Sequence, residues 1–293
     1  MAHYSIKDLE RLSGIHAHTI RIWEKRYQLV KPERTNTNIR YYTDSDLKKI
    51  LNVAVLNRNG IKISNIARLN DLELKEEIIR VTRITDAHDT IVDSMIISMI
   101  DLDEFKLEAI IDKSISKIGF KSTVTEVLYP FLDKVGIFWQ SGDVNPAQEH
   151  FASNIIRQKI LSYTDQLPGS FNPKAKRFIL LLPEGEWHEI ALLFAQYLLK
   201  EMNHQVIYLG QSVPYYDALA TGSSTEFDGI LVSCITTHSE FDFITYLRDL
   251  GGAFPDKKIL YFSGFPDEMP AGLTDNYIHL HTIQDFVGFL SES

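Results

Sequence analysis

The residue of this chain best placed for coordination chemistry is a histidine in an acidic stretch. Glu184-Gly185-Glu186-Trp187-His188-Glu189 follows a continuous apolar run, Arg177 to Leu182. An imidazole offers either a metal ligand or a proton-transfer group near neutral pH. Position 192 is Leu, so the second histidine of a helical zinc-protease motif is missing. No Gly-x-Gly-x-x-Gly dinucleotide fingerprint follows the run either. The plainer alternative is a loop histidine exposed to solvent. A second group is Trp139, followed ten residues on by Glu149-His150. Gln140 to Pro146 between them reads as a loop, and Pro146 suits the first turn of a helix. The aromatic ring and the acid–histidine pair then converge at one mouth of a helical bundle, or else the Trp is core and the pair is surface. A third group is His18, Thr19, Arg21 and Lys25, the outward face of a helix whose Ile20 and Trp23 face inward. Arg on such a face bonds guanine edges bidentately in a DNA major groove.

Three kinds of element must position these groups. Tyr4 to Leu12 reads as an amphipathic helix, Ser13-Gly14-Ile15 as a tight turn and His16 to Arg26 as a second helix, a helix-turn-helix pattern. Leu29 to Tyr42 reads as a wing, a polar loop between two short extended runs. Thr43-Asp44-Ser45-Asp46 supplies capping chemistry for a helix from Leu47 to Asn57. Between Asp71 and Gln166, apolar residues recur at helical spacing, as in Ile91, Met95, Ile96 and Met99. Four amphipathic helices there imply a small bundle, the third near Ser122–Trp139 and the fourth near Pro146–Thr164. From Lys176 on, apolar strands alternate with helices. The strands are Arg177–Leu182, His204–Leu209, Gly229–Ser233, Lys258–Phe262 and Tyr277–His279, and the first helix is expected over Glu186–Met202. This predicts a doubly wound parallel sheet in the flavodoxin-like order 2-1-3-4-5. Ligands of such sheets bind beyond the carboxyl ends of the strands, at the switch between the first and third. That rule selects Glu184–Glu189 and Ser233–Thr237. The expected fold class is multidomain α and α/β: a winged helix over 1–72, a four-helix bundle over 76–168 and a flavodoxin-like (Rossmann-type) domain over 174–293.

Composition bounds these readings. Hydrophobic residues make up 44% and charged residues 24% of the 293 residues, which suits a globular chain with sizeable cores. No stretch approaches the roughly 18 uninterrupted apolar residues of a membrane helix. One cysteine, Cys234, excludes an intramolecular disulfide and a Cys-rich zinc site. The first residues lack a signal-peptide pattern, so a cytoplasmic location without membrane attachment is expected. Residues 1–70 hold 13 basic and 6 acidic side chains, a net +7, whereas the whole chain is at -9 and the remainder at -16. The first quarter attracts a polyanion and the rest repels one.

Tyr4–Leu12, Thr19-Ile20-Arg21-Ile22-Trp23-Glu24, Arg40-Tyr41-Tyr42 and the Asp44-x-Asp46-Leu47 helix start occur in this order. The set resembles the winged-helix domain of the MerR family of transcription regulators. The resemblance implies that Arg21 and its helix neighbours His18, Thr19 and Lys25 read bases, and that Arg40 and Tyr41 hold phosphates. It also implies a dimer on an inverted-repeat operator in double-stranded DNA. Glu186-x-His188-x-x-Ala191 resembles the D-x-H-x-x-G motif of cobalamin-binding domains, in its E-x-H form. By that resemblance His188 ligates cobalt in place of the cofactor's own base, and Glu186 bonds the other ring nitrogen. Ser233 matches the serine of the family's S-x-L loop, and Ser263-Gly264 the Gly-Gly turn near the nucleotide tail. Trp139 with Glu149-His150 matches a W-x(9)-E-H signature that caps the upper ligand of adenosylcobalamin. Over nearly the whole chain the order of parts is similar to the cobalamin-dependent MerR regulators. That implies a repressor, not an enzyme, with a cobalamin effector (adenosylcobalamin foremost) and self-association to a dimer or tetramer. Ala191 and Ser263 stand where the family has glycine, and Gln140 where light-sensing members carry a histidine. Two alternatives stand beside this reading. One is a regulator of the same fold with a degenerate pocket that responds to a protein partner. The other is a corrinoid protein serving methyl transfer, against which the DNA module argues.

Overall fold

The structure, a computed structural model, describes residues 4–34, 40–84, 88–140, 146–169, 174–235, 242–263 and 276–292. The chain separates into two compact units, Met1–Ile155 and Ile156–Ser293.

The first unit is helical apart from a small wing. Helices α1 (Ile6–Ser13) and α2 (Ala17–Tyr27) meet at Gly14. Its φ of +70° belongs to the left-handed region, which glycine enters without a Cβ penalty. Strands β1 (Glu33–Arg34) and β2 (Arg40–Tyr41) pair antiparallel as the base of the wing, and a bridge between Tyr4 and Tyr42 ties that base to the chain start. Next come α3 (Asp44–Arg58), α4 (Ile63–Ile66) and α5 (Asp71–Ile84). The expected capping of α3 takes the form of a capping box between Thr43 and Asp46.

The four expected bundle helices are α6 (His88–Ile100), α7 (Glu104–Ile118), a composite third helix and α10 (Pro146–Asp165). The composite runs from α8 (Phe120–Thr123) through a π turn at Val124–Leu128 into α9 (Tyr129–Gln140). Pro130 gives the π turn a physical cause. Proline has no N–H, and its ring presses on the carbonyl four residues back, so the helix widens just before it. Accordingly the Tyr129 N–H donates to the Val124 carbonyl, five residues back. Met95, Ile96 and Met99 of α6 are fully buried, and α6 packs against α3, α7 and α9. At the centre of that packing Asp93 is itself fully buried. It accepts from Arg58 Nη2 of α3 (2.7 Å) and Lys134 Nζ of α9 (2.5 Å).

The second unit holds a five-stranded parallel sheet in the order β4-β3-β5-β6-β7. Its elements are β3 (Arg177–Pro183), α11 (Ile190–Glu201), β4 (Gln205–Val213), α12 (Tyr215–Ser224), β5 (Gly229–Cys234), α13 (Phe243–Ala253), β6 (Lys258–Ser263), β7 (Tyr277–Leu280) and α14 (Ile283–Glu292). In strand sequence this is the expected 2-1-3-4-5. Alternation along the strands sends Ile179, Leu181, Ile230, Val232 and Cys234 into a core with Phe243, Tyr246 and Leu247 of α13. Leu180, Leu231, Ser233 and Phe262 point to the other face, covered by α11 and α14.

One expected helix is shorter than its sequence suggests. Residues 186–189 form a loop, and α11 begins only at Ile190. The buried Glu186 carboxylate takes the N–H groups of Trp187 and His188 for itself (2.8 and 2.9 Å). Such side-chain competition for backbone donors holds a chain in turn geometry rather than helix. Among the described residues, no helix is long and apolar enough to cross a membrane.

Candidate functional site

The carboxyl ends of β3 and β5 converge on Glu186. Its residue is 2% exposed, yet each oxygen of its carboxylate is engaged. Oε1 accepts from the backbone N–H groups of Trp187 and His188 and lies 2.7 Å from His188 Nδ1. Oε2 accepts from the Ile235 N–H across the switch point at 2.8 Å. A carboxylate so supplied with donors is ionised and can only accept. His188 therefore donates from Nδ1, and the neutral ring carries its lone pair on Nε2. A carboxylate on the far nitrogen fixes the tautomer and raises the basicity of a ligating imidazole. The His188 side chain is 54% exposed, so the ring belongs to the surface rather than to the core.

The loop is held from three sides. From β4, Gln211 Nε2 donates to the Trp187 carbonyl (2.9 Å), the Ser212 N–H donates to the Glu186 carbonyl (3.1 Å), and the Gly185 N–H donates to Ser212 Oγ (3.1 Å). From β5, Cys234 donates its thiol to Glu186. Burial, then the Glu186 charge and that hydrogen bond, push the thiol up to about 12. From α10, Arg157 pairs with the buried Glu189 carboxylate, which also accepts from Tyr208 Oη of β4 (2.8 Å). Cys234 lies in the Ser233–Thr237 stretch that the switch-point rule selects, but none of Gln211, Ser212, Arg157 or Tyr208 stood out in sequence as part of the site. Their partners are far away in the chain, and only the loop they hold obeys a readable rule.

Beside Glu186 lies Ser233. It is fully buried, and its Oγ has no hydrogen-bond partner among the described residues. A buried hydroxyl without a partner is costly unless a ligand completes it. Ser263 ends β6 in register with Cys234 and is half-buried. Gly264 lies outside the described residues. The structure thus brings Glu186, His188, Ser233 and Ser263 to one end of the sheet. In the first unit, Trp139 is in the last turn of α9, with its side chain outside what is described. Glu149 and His150 occupy the first turns of α10 with Glu149 Oε2 3.1 Å from His150 Nδ1, and His150 is largely exposed.

The DNA-reading candidates lie on α2 and the wing. His18, Arg21 and Lys25 are exposed, and Thr19 is half-exposed beside the buried Ile20 and Trp23. Spacings of three and four put the three exposed residues on one helix face. Glu24 ties this helix to the wing. It lies 3.7 Å from Arg40 Nε and accepts from Tyr42 Oη at 3.1 Å. Tyr41 donates its hydroxyl to Glu33 across the wing strands. Arg40 and Tyr41 thus each have an acidic partner, Glu24 of α2 for Arg40 and Glu33 of β1 for Tyr41.

Residues 4–72 match the MerR HTH family regulatory protein family, and residues 91–161 match the B12 binding domain family. The chain is 30% identical over 258 residues to the HTH-type transcriptional repressor CarH of Myxococcus xanthus, covering 86% of this chain and 85% of that protein. It belongs to the MerR-type transcription regulators that carry a B12-binding domain. To CarA of the same organism, also an HTH-type transcriptional repressor, this MerR-type regulator is 24% identical over 246 residues, covering 83% of this chain and 81% of that one. Its fold is shared with the monomethylamine corrinoid protein of Methanosarcina barkeri. That likeness has a TM-score of 0.57 at 14% identity and covers 70% of this regulator and 99% of the corrinoid protein. The MerR-type match contains α2 and the wing, and the B12-binding match contains Trp139 and the Glu149-His150 pair.

Proposed function

We propose that this regulator is a repressor that binds operator DNA through α2 and its wing and takes a cobalamin, adenosylcobalamin foremost, as effector. It acts in the cytoplasm on double-stranded DNA as a dimer or tetramer and catalyses no reaction. The three-part division into 1–72, 76–168 and 174–293 is part of this proposal. The observation that carries it is a Glu186-oriented, half-exposed His188 at the same end of a parallel sheet as the buried Ser233 hydroxyl, which has no hydrogen-bond partner among the described residues. Those residues fit a corrinoid. His188 would ligate cobalt through Nε2, Glu186 would set its basicity, and Ser233 would bond a polar group of the buried tail. When bound, the group supplies a cobalt centre whose occupancy the protein reads. Trp139, Glu149 and His150 are assigned to the upper ligand by family resemblance, and Ser263 with Gly264 to the tail. On the DNA side, His18, Thr19, Arg21 and Lys25 face the bases, and Arg40 and Tyr41 the phosphates.

The test uses the full chain in the dark with adenosylcobalamin, desalted and examined by absorption spectroscopy. Wild type should retain a corrinoid with the spectrum of a cobalamin whose own base is displaced, and His188→Ala should lose that form. Removal of a direct ligand is expected to cost more than the roughly 10–100-fold typical of an outer partner. If wild type retains no corrinoid at tens of micromolar, the pocket is degenerate and the protein-partner alternative takes its place. Footprinting on genomic fragments should show a protected site that fades steeply with salt. The absence of any protected site at low salt would remove the DNA reading.

A further inference from the structure

We infer that Arg157 and Tyr208, acting through Glu189, are positioning residues for the metal-ligating histidine, an inference that rests on the cobalamin reading of His188. Glu189 directly follows His188, and its side chain is only 6% exposed. Its carboxylate spans two separate elements. One oxygen pairs with Arg157 Nε of α10, and the other accepts from Tyr208 Oη of β4 at 2.8 Å. Its backbone carbonyl meanwhile accepts from the Leu193 N–H, which opens α11. Residue 189 is thus fixed by side chain and main chain together, while its neighbour His188 is left half in solvent. Glu186 performs the same anchoring two residues earlier, through β5. The imidazole therefore sits on a four-residue segment, 186–189, whose two end residues are pinned by their buried carboxylates.

Other features of the fold are shaped around this second pin. Tyr208 reaches Glu189 beside Gly210, where φ is +83° and a Cβ would come 3.3 Å from the Tyr208 ring. β4 slips its register against β3 between Leu180 and Leu181: Tyr208 pairs with Leu180, Gly210 pairs with Leu181, and Leu209 between them is skipped. Burial of Tyr208 and its bond to Glu189 push the phenol well above its ordinary range, so it stays a donor at every working pH. A buried carboxylate stripped of one partner forces local rearrangement, because the remaining charge is left unpaired. Here the segment that moves would be the one that aims the imidazole.

The test loads the full chain, labelled with nitrogen-15 histidine, with cob(II)alamin and records its electron paramagnetic resonance. An axial nitrogen splits the cobalt lines. A labelled protein imidazole gives doublets, and the cofactor's own unlabelled base gives triplets. Wild type should show doublets. Arg157→Met and Tyr208→Phe should each lower the doublet fraction and weaken retention, by less than the roughly 10–100-fold of an outer partner bonded to the ligand itself. Arg157→Lys should restore part of the loss. Thermal unfolding is followed in parallel, and Arg157→Met, on a half-exposed side chain, provides a folded variant if Tyr208→Phe does not fold. Doublets of unchanged intensity in both variants, with only the melting temperature altered, would overturn the inference and leave the cobalamin reading intact. Failure of wild type to show doublets would overturn the cobalamin reading of His188 and the inference with it.

Discussion

At Glu186, one buried carboxylate does the work of several groups. It orients His188, closes the loop 185–188 and bridges β3 to β5, and each role comes from a separate hydrogen bond. Isolated, a carboxylate so deep would neutralise itself, but five donors around two oxygens make the ionised form the satisfied one. Cys234 shows the other side of that field. Its thiol is buried, donates to Glu186 and is pushed up to about 12 by burial and the adjacent charge. Thiolate is the reactive species, so a thiol held protonated and buried is inert. We predict that dithiobis-nitrobenzoate titrates no thiol in the native protein near pH 8 and one thiol after denaturation, since Cys234 is the only cysteine. Rapid native reaction would show that the Glu186–Cys234 contact is not maintained in solution. Glu186→Gln should then make Cys234 easier to ionise, because the amide removes the neighbouring negative charge.

Among the elements, the sheet carries the site and was the most legible part. Continuous apolar runs such as Ile179–Leu182 and Ile230–Val232 need two buried faces, which calls for helices on both sides, and right-handed crossovers point to the observed strand order. The switch-point rule then leads to His188 with no knowledge of its partners. The start of α11 was not legible, because local propensity cannot show that the Glu186 side chain takes the first helical donors. Nor were Ser212, in the left-handed region at φ +50°, or Arg157, whose partner lies 32 residues away. At the opposite end of the same sheet, His204 precedes β4 and accepts the Lys176 N–H at Nδ1 (3.1 Å). Burial, then the Lys176 charge, hold it below its ordinary 6.5, against a smaller opposing pull from Asp228. The sign follows. Above 6.5 the ring is neutral in both states and its contribution to stability is complete. As pH falls through 6.5 the unfolded chain takes up the proton first, and stability is lost until the folded ring also titrates. The urea midpoint of wild type should therefore drop between about pH 7.5 and about pH 5.5, and the drop should shrink in His204→Gln. An equal drop in both proteins would assign the acid sensitivity to other groups.

On the scale of the molecule, the division of charge is plain. The first 70 residues carry +7 and the remainder -16, so polyanion binding is confined to the reading head. Within the first unit that head is joined to the bundle by a polar clamp rather than by apolar packing alone. Arg58 of α3 donates to Asp93 and to the Ser13 carbonyl at the end of α1, Lys134 of α9 completes Asp93, and Lys48 pairs with Asp101 at the rim. Burial, opposed by Lys134 and Arg58, leaves the Asp93 carboxyl above its usual range. A raised carboxylate gives the fold less than it gives the unfolded chain once ionised, so its contribution is larger below the folded value and declines as pH rises. The clamp is thus a poor source of stability at neutral pH and a good source of geometry, since two cations on different helices must meet one buried acid. Two variants separate these roles. Asp93→Ala leaves Lys134 facing a buried gap, whereas Arg58, with 37% of its side chain exposed, can turn to water. The loss should therefore fall below the roughly 3–5 kcal/mol of a broken buried pair, at about 2 kcal/mol. Combining Asp93→Leu with Arg58→Met and Lys134→Met removes all three charges and should recover most of that stability. Yet the triple variant should bind operator DNA more weakly than wild type, because only the rim pair Lys48–Asp101 and the Asn59–Thr90 bond then remain as polar ties between the α3 region and α6. Urea denaturation measures the first effect and a mobility-shift titration at fixed salt the second. A triple variant as stable as wild type that binds DNA equally well would show that the remaining contacts fix the head, and that Asp93 does not.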